Sequence, residues 1–185
     1  MSTTAPSART TDASTATTRN ALIIAGAVAV IAIARVLVVT IVNFIGLIAD
    51  GMLSSFESPA DFGLYFGPTI SLEARTIFAW ILPVAIGVFI SLRAIRPVAA
   101  SMSTRTVIVR GLIAAAVGAI AGIIVSLPLS LEPAEVANGD TLAALSPFPI
   151  LSALIFCLYR ALAIAPLVLL AVLVVWQWLR RTPAV

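Results

Sequence analysis

Two arginines stand where an arginine is expensive. Arg35 lies in the middle of an apolar run over residues 21–49, and Arg160 lies inside a second run over residues 150–179. A guanidinium group carries five N–H donors and no acceptor. Placing it at the centre of a bilayer costs at least about 2.5–3.5 kcal/mol on insertion scales. Each of the two must therefore find acceptors, or serve a purpose that offsets the cost.

Their depths agree with each other. Counted from the ends of their runs, Arg35 is 15 residues from Asn20 and Arg160 is 16 from Trp176. On two other runs, Trp80 is 13 residues from Arg93 and Ser126 is 16 from Arg110. At about 1.5 Å per helical residue, all four stand roughly 20–24 Å from one face of the bundle. Tyr159 shares that level. So do the carbonyls of Ala79 and Leu162, which Pro83 and Pro166 leave without their usual amide partners. Arg35, Trp80, Ser126, Tyr159 and Arg160 thus form a candidate polar layer in an otherwise apolar bundle.

Three readings fit such a layer. In the first, each arginine is satisfied by carbonyls at a kink or reaches to the outer surface, where Arg160 has Asp50, Asp61, Glu73 and Glu132 within range. In the second, two positive charges face a shared cavity and bind an anion or an acidic lipid head group. In the third, the arginines meet acceptors on a partner chain. One arginine–aromatic contact gains about 0.5–2 kcal/mol, so a single such contact does not offset the cost of burial.

Catalytic chemistry has little to draw on. The chain has no His, which removes His-ligated haem, His-containing zinc sites and Ser-His or Cys-His nucleophiles. No HExxH, GxSxG or phosphate-binding glycine loop is present. The single Cys, Cys157, lies in an apolar run and reads as a small apolar filler. We expect no catalytic residue, no metal site and no cofactor.

The elements that must hold the layer follow from composition. The 185 residues are 61% hydrophobic and 10% charged, against about 25% charged in a soluble domain. Lipid must cover much of the surface. Four runs are long enough to cross a bilayer, which takes about 20 apolar residues. They predict an all-α integral membrane bundle with helices over residues 21–49, 71–92, 107–131 and 150–179. The first would be roughly 43 Å long. Residues 1–20 are Ser/Thr-rich and read as a disordered tail rather than a signal peptide. Residues 182–185 form a short C-terminal tail. Residues 50–70, with Phe56, Phe62, Tyr65 and Phe66, read as an interfacial loop. Glu73 and Arg75 then fall in the first turns of the second helix. Pro128 and Pro133 end the third. Asn138-Gly139 marks a turn.

Small residues at four-residue spacing offer close-packing faces: Ala21, Ala25 and Ala29 on the first helix, and Ala114, Gly118, Gly122 and Ser126 on the third. The arginines set the orientation. Arg9 and Arg19 precede the first helix, Arg93, Arg96, Arg105 and Arg110 lie between the second and third, and Arg180 and Arg181 follow an aromatic pair, Trp176 and Trp178. Of the eight acids, all but Asp12 lie in or beside the other two loops. By the positive-inside rule both termini are cytoplasmic. All the basic residues are Arg, which we read as a GC-rich, bacterial coding bias.

The expectation is a small multi-pass protein of a bacterial inner membrane, acting as a non-enzymatic accessory or interaction subunit. Its partners would be the lipid bilayer and another membrane protein or a second copy. Nucleic acid is not expected, because the basic residues cluster at helix ends. The alternative is a small transporter or channel component, with an anion or acidic-lipid site at Arg35 and Arg160.

Overall fold

The glycines of the second and third apolar runs show how tightly this chain is packed. A Cβ added at Gly118 would stand 2.9 Å from the Val84 carbonyl oxygen. One at Gly87 would stand 2.8 Å from the Gly118 Cα, and one at Gly122 would stand 2.8 Å from Val84 Cγ2. Only glycine lets two helix backbones approach this closely. Where lipid competes for apolar surface, such backbone contact, rather than hydrophobic burial, is what holds helices together.

The computed structural model describes residues 8–49, 59–95, 97–131 and 149–181, and those residues are all-helical apart from a short connection at 97–103, with no strand among them. We number four helices: α1, Ala8–Ala49; α2, residues 59–95; α3, Thr104–Leu131; and α4, Pro149–Arg181. Each contains a span long and apolar enough to cross a membrane: Thr15–Gly46, Phe66–Ile95, Thr104–Pro128 and Leu154–Arg181.

Each helix packs on its sequence neighbours, and α4 closes the ring on α1. Val84 meets Gly118 and Gly122, Gly111 meets Leu169 and Val172, and Phe44 meets Phe66 edge-on at 5.4 Å. These pairings make adjacent helices antiparallel, so the chain runs up, down, up, down. The core is a column of Ile24 and Val28 from α1, Val84, Val88 and Leu92 from α2, Val107 and Ala114 from α3, and Val168, Val172 and Trp176 from α4. Ala21 and Ala25 lie in that core and Ala29 packs against it. The outer surface is apolar too: Leu22, Val30, Phe78, Ile86, Ile120, Ile124 and Leu170 are all exposed. A helix that is apolar on every side suits a bilayer rather than water.

Several boundaries differ from the sequence expectations. α1 starts at Ala8, inside the stretch that reads as a disordered tail, because each residue added to an existing helix gains a backbone bond without a new nucleation cost. α2 starts at Pro59, so residues 59–70 are helix and not loop, and Glu73 and Arg75 lie well inside it. Proline suits a helix start, where its missing N–H would be unpaired anyway. α3 starts at Thr104, because the Ser103 hydroxyl accepts a hydrogen bond from the Thr106 amide at 3.3 Å and caps it. Pro128 lies within α3, which continues to Leu131; that close to the end, a proline costs few backbone bonds. Trp176 is 4% exposed and belongs to the core rather than to an aromatic belt, whereas Trp178 is exposed. The Asn138-Gly139 turn and Pro133 fall outside the described residues.

At the basic end three arginines find partners, while Asn20 Oδ1, Ser91 Oγ and Trp176 Nε1 are buried there without a hydrogen-bond partner among the described residues. Arg110 donates to the Pro97 carbonyl, Arg93 lies over the Phe89 ring at 5.8 Å, and Arg180 lies over Trp176 at 4.9 Å.

The close α2–α3 contact gives a direct test. Gly118→Val should cost about 1–3 kcal/mol by overpacking, read as a lower midpoint of thermal unfolding in detergent. Gly26, with nothing within 4 Å of an added Cβ, should accept alanine within about 0.5 kcal/mol. Equal midpoints for the two variants would contradict the packing described.

Candidate functional site: a cavity that joins two arginines

α2 is not a uniform helix. Between Thr76 and Ile81 it widens into a π-helical turn, and the Leu82 amide bonds to the Ile77 carbonyl five residues back. The cause lies just beyond. Pro83 has no N–H to give the Ala79 carbonyl, and its ring would crowd that oxygen in a regular α-turn. The wide turn absorbs the clash. Such turns recur at functional sites because they re-aim side chains. Here Glu73, Thr76, Trp80 and Ile81 all face one cavity.

That cavity, about 380 Å³, lies between α1, α2 and α4. Its floor is buried and mostly apolar: Ala32 from α1, Trp80 and Ile81 from α2, and Ile164 from α4. Its rim is exposed: Ile31, Arg35 and Val39 from α1, and Tyr159 and Ala163 from α4. Tyr159 is 67% exposed, so the mouth opens to the side of the bundle, between α1 and α4. Arg35, Glu73, Thr76, Tyr159 and Arg160 supply its polar groups.

Of the five residues of the polar layer, the cavity gathers Arg35, Trp80, Tyr159 and Arg160. Ser126 is elsewhere. It is buried on α3, with its Oγ 3.6 Å from Cys157 Sγ, and α3 contributes nothing to the lining. Glu73 is the addition. A helix starting at Ser71, as the sequence suggests, would leave Glu73 at its outer end. With the start at Pro59, Glu73 enters the cavity, near enough for its carboxylate to act electrostatically on Arg160. Of the other acids in range of Arg160 by sequence, Asp50 and Glu132 fall outside the described residues.

The two arginines are provided for very differently. Arg160 is half-buried. Its Nη2 donates to the Thr76 hydroxyl at 3.1 Å, and that hydroxyl donates onward to the Leu72 carbonyl at 3.0 Å. The Arg160 guanidinium also stacks over Phe156, 4.4 Å from the ring centroid. A hydrogen bond from a charged donor contributes about 1.5–3 kcal/mol and the ring about 0.5–2 kcal/mol. Together they are of the same size as the insertion cost of about 2.5–3.5 kcal/mol. Arg35 has no such provision. It lines the cavity, is exposed at its rim, and makes no hydrogen bond, ion pair or ring contact with any described residue. It shares the cavity with Arg160.

The polar groups of the cavity are mostly hydrogen-bond donors. The cavity carries two guanidinium groups and one carboxylate, a formal +1, with the Thr76 and Tyr159 hydroxyls beside them. Guanidinium groups pair with phosphate or carboxylate oxygens through short, charge-assisted hydrogen bonds. A metal ion would find one carboxylate and two repelling cations. Among the described residues no group of three Cys, Asp or Glu side chains converges anywhere.

Thr76→Val removes the acceptor of Arg160 while keeping the side chain's shape. It should destabilise the protein by about 1–3 kcal/mol, the cost of orphaning a half-buried donor, seen as a lower thermal midpoint in detergent. Thr76→Ser should recover most of the loss. A valine variant as stable as wild type would show that the bond contributes nothing.

Compared with known proteins, the chain matches no family model, and no curated protein or solved structure is similar to it.

Proposed function

We propose that this is a non-enzymatic, multi-pass protein of a bacterial inner membrane whose task is to hold an anionic group between Arg35 and Arg160. One observation carries this reading: two guanidinium groups line one cavity, and one of them has no partner among the described residues. An accessory or interaction subunit, the role expected from composition alone, is compatible with such a site, because a bound anionic ligand is a way to tie a small subunit to its surroundings.

Binding is favoured over conduction. Val28, Val84 and Val168, each 0% exposed, form a packed layer on the arginine-rich side of the cavity. An ion path across the bundle would have to part that layer.

The orientation rests on charge. Arg93, Arg105, Arg110, Arg180 and Arg181 gather at one end of the bundle, and the positive-inside rule makes that end cytoplasmic. The cavity then lies in the half of the membrane away from the cytoplasm. A cytoplasmic reporter should be active when fused at either terminus. A C-terminal fusion active only with a periplasmic reporter would refute the orientation.

The anion site is tested by linkage. A ligand that binds the native state stabilises it, by about 2.7 kcal/mol at one hundred times its dissociation constant. We expect at least one of inorganic phosphate, sulfate, a fatty carboxylate and an anionic phospholipid to raise the unfolding midpoint of the wild type and not of Arg35→Gln. If none separates the two proteins, the site does not exist.

A further inference from the structure

The cavity opens sideways, and what surrounds its mouth says where a ligand comes from. The rim residues Ile31, Val39 and Tyr159 continue into Val38 on α1 and Phe156, Leu158 and Leu162 on α4, all exposed and apolar or aromatic. In a membrane these side chains touch acyl chains. The lateral mouth is therefore framed by lipid. On the arginine-rich side the buried Val28, Val84 and Val168 stand between the cavity and that end of the bundle.

The depth suits a head group. Arg160 lies six residues into the span Leu154–Arg181, Glu73 seven into Phe66–Ile95, and Arg35 eleven from the Gly46 end of its span. At about 1.5 Å per residue they stand roughly 9–17 Å from the outer ends of their spans. The Arg160 side chain leans toward the N-terminus of α4, and its long stem carries the guanidinium several ångströms further toward the outer surface. A lipid phosphate pulled slightly inward meets it.

The charge selects within the anionic lipids. Arg35 and Arg160 count +2, and Glu73 from α2 reduces this to +1; α3 brings no charged group to the lining. A net +1 cavity matches a singly charged phosphodiester. A phosphate presents oxygens in several directions, so it can take donors from α1 and from α4 together, where Arg160 is already oriented by Thr76 and Phe156. Acyl chains then leave through the mouth along the apolar faces of the two helices.

Resting on the anion-binding reading, we infer that the cavity is a lateral site for the phosphodiester head group of a singly charged glycerophospholipid, clamped between Arg35 and Arg160, with Glu73 setting the charge it accepts. The full chain, purified in neutral detergent and doped with phosphatidylglycerol, phosphatidylcholine or phosphatidic acid, is studied by native mass spectrometry. Wild type should retain phosphatidylglycerol at least about tenfold over phosphatidylcholine, which offers the same phosphodiester but sets a choline cation beside the two guanidinium groups. Arg35→Gln should abolish the preference and Arg35→Lys should keep much of it. Arg35 has no described partner to lose, so both variants should fold, with wild-type circular dichroism as the check. Glu73→Gln should shift retention toward doubly charged phosphatidic acid. Inorganic phosphate at millimolar concentration should neither displace the lipid nor raise the unfolding midpoint. Equal retention of phosphatidylglycerol and phosphatidylcholine overturns the inference. Stabilisation of wild type by inorganic phosphate, lost in Arg35→Gln, overturns the lipid assignment and leaves the anion site standing. No effect of any anion removes both.

Discussion

A guanidinium group inside an apolar bundle has to be met, and the structure is arranged around how that is done for Arg160 and how it is left open for Arg35. Arg160 is met by a hydroxyl and a ring. Neither works without the segment that carries it. Thr76 begins the π-helical turn of α2, and Phe156 lies one turn before Arg160 on α4, the spacing at which helical side chains touch. The two contacts are of the size needed to offset burial of one cation. They leave nothing over for a second.

The position of α2 is in turn fixed from behind. Gly87, Gly118 and Gly122 bring the α2 and α3 backbones together, and the Trp80 ring stands 3.0 Å from where a Gly122 Cβ would be. Trp80 is thus held between α3 and the cavity, as the floor of one and the packing surface of the other. Pro83 widens the helix just before it. A proline, three glycines and one tryptophan together determine where Thr76 and Glu73 point, although none of the five carries charge. The cavity is shaped by packing and given its chemistry by the few polar residues that packing turns inward.

Much of this is legible in the sequence, for definite reasons. Long apolar runs with charged ends leave few alternatives to four membrane-length helices. Depth counting works because the helical rise is constant, which is why residue numbers alone put Arg35, Trp80, Tyr159 and Arg160 at one level. Counting gives height and not azimuth. Ser126 has the right height but stands on α3, facing Cys157 rather than the cavity. Thr76 and Phe156 escape sequence reasoning, because a threonine one turn into an apolar run and a phenylalanine among leucines carry no signal of their own. Glu73 is legible only as an acid within range of Arg160 at the outer surface, and its place inside the cavity is missed for a different reason. The residues before Ser71 include Gly63, Gly67 and Pro68, which read as loop, yet α2 runs straight through them. A proline inside a membrane helix costs less when neighbours satisfy what it frees, so the usual breaker rules set the boundary too late.

The central claim is that Arg35 and Arg160 share one anionic ligand. The most direct measurement is an experimental density map of the full chain in nanodiscs containing phosphatidylglycerol, at a resolution that shows side chains. The account predicts head-group density between the two guanidinium groups, with acyl density leaving between α1 and α4. A cavity filled by acyl chain alone, with Arg35 turned to the membrane surface or bonded to a backbone carbonyl, would contradict it.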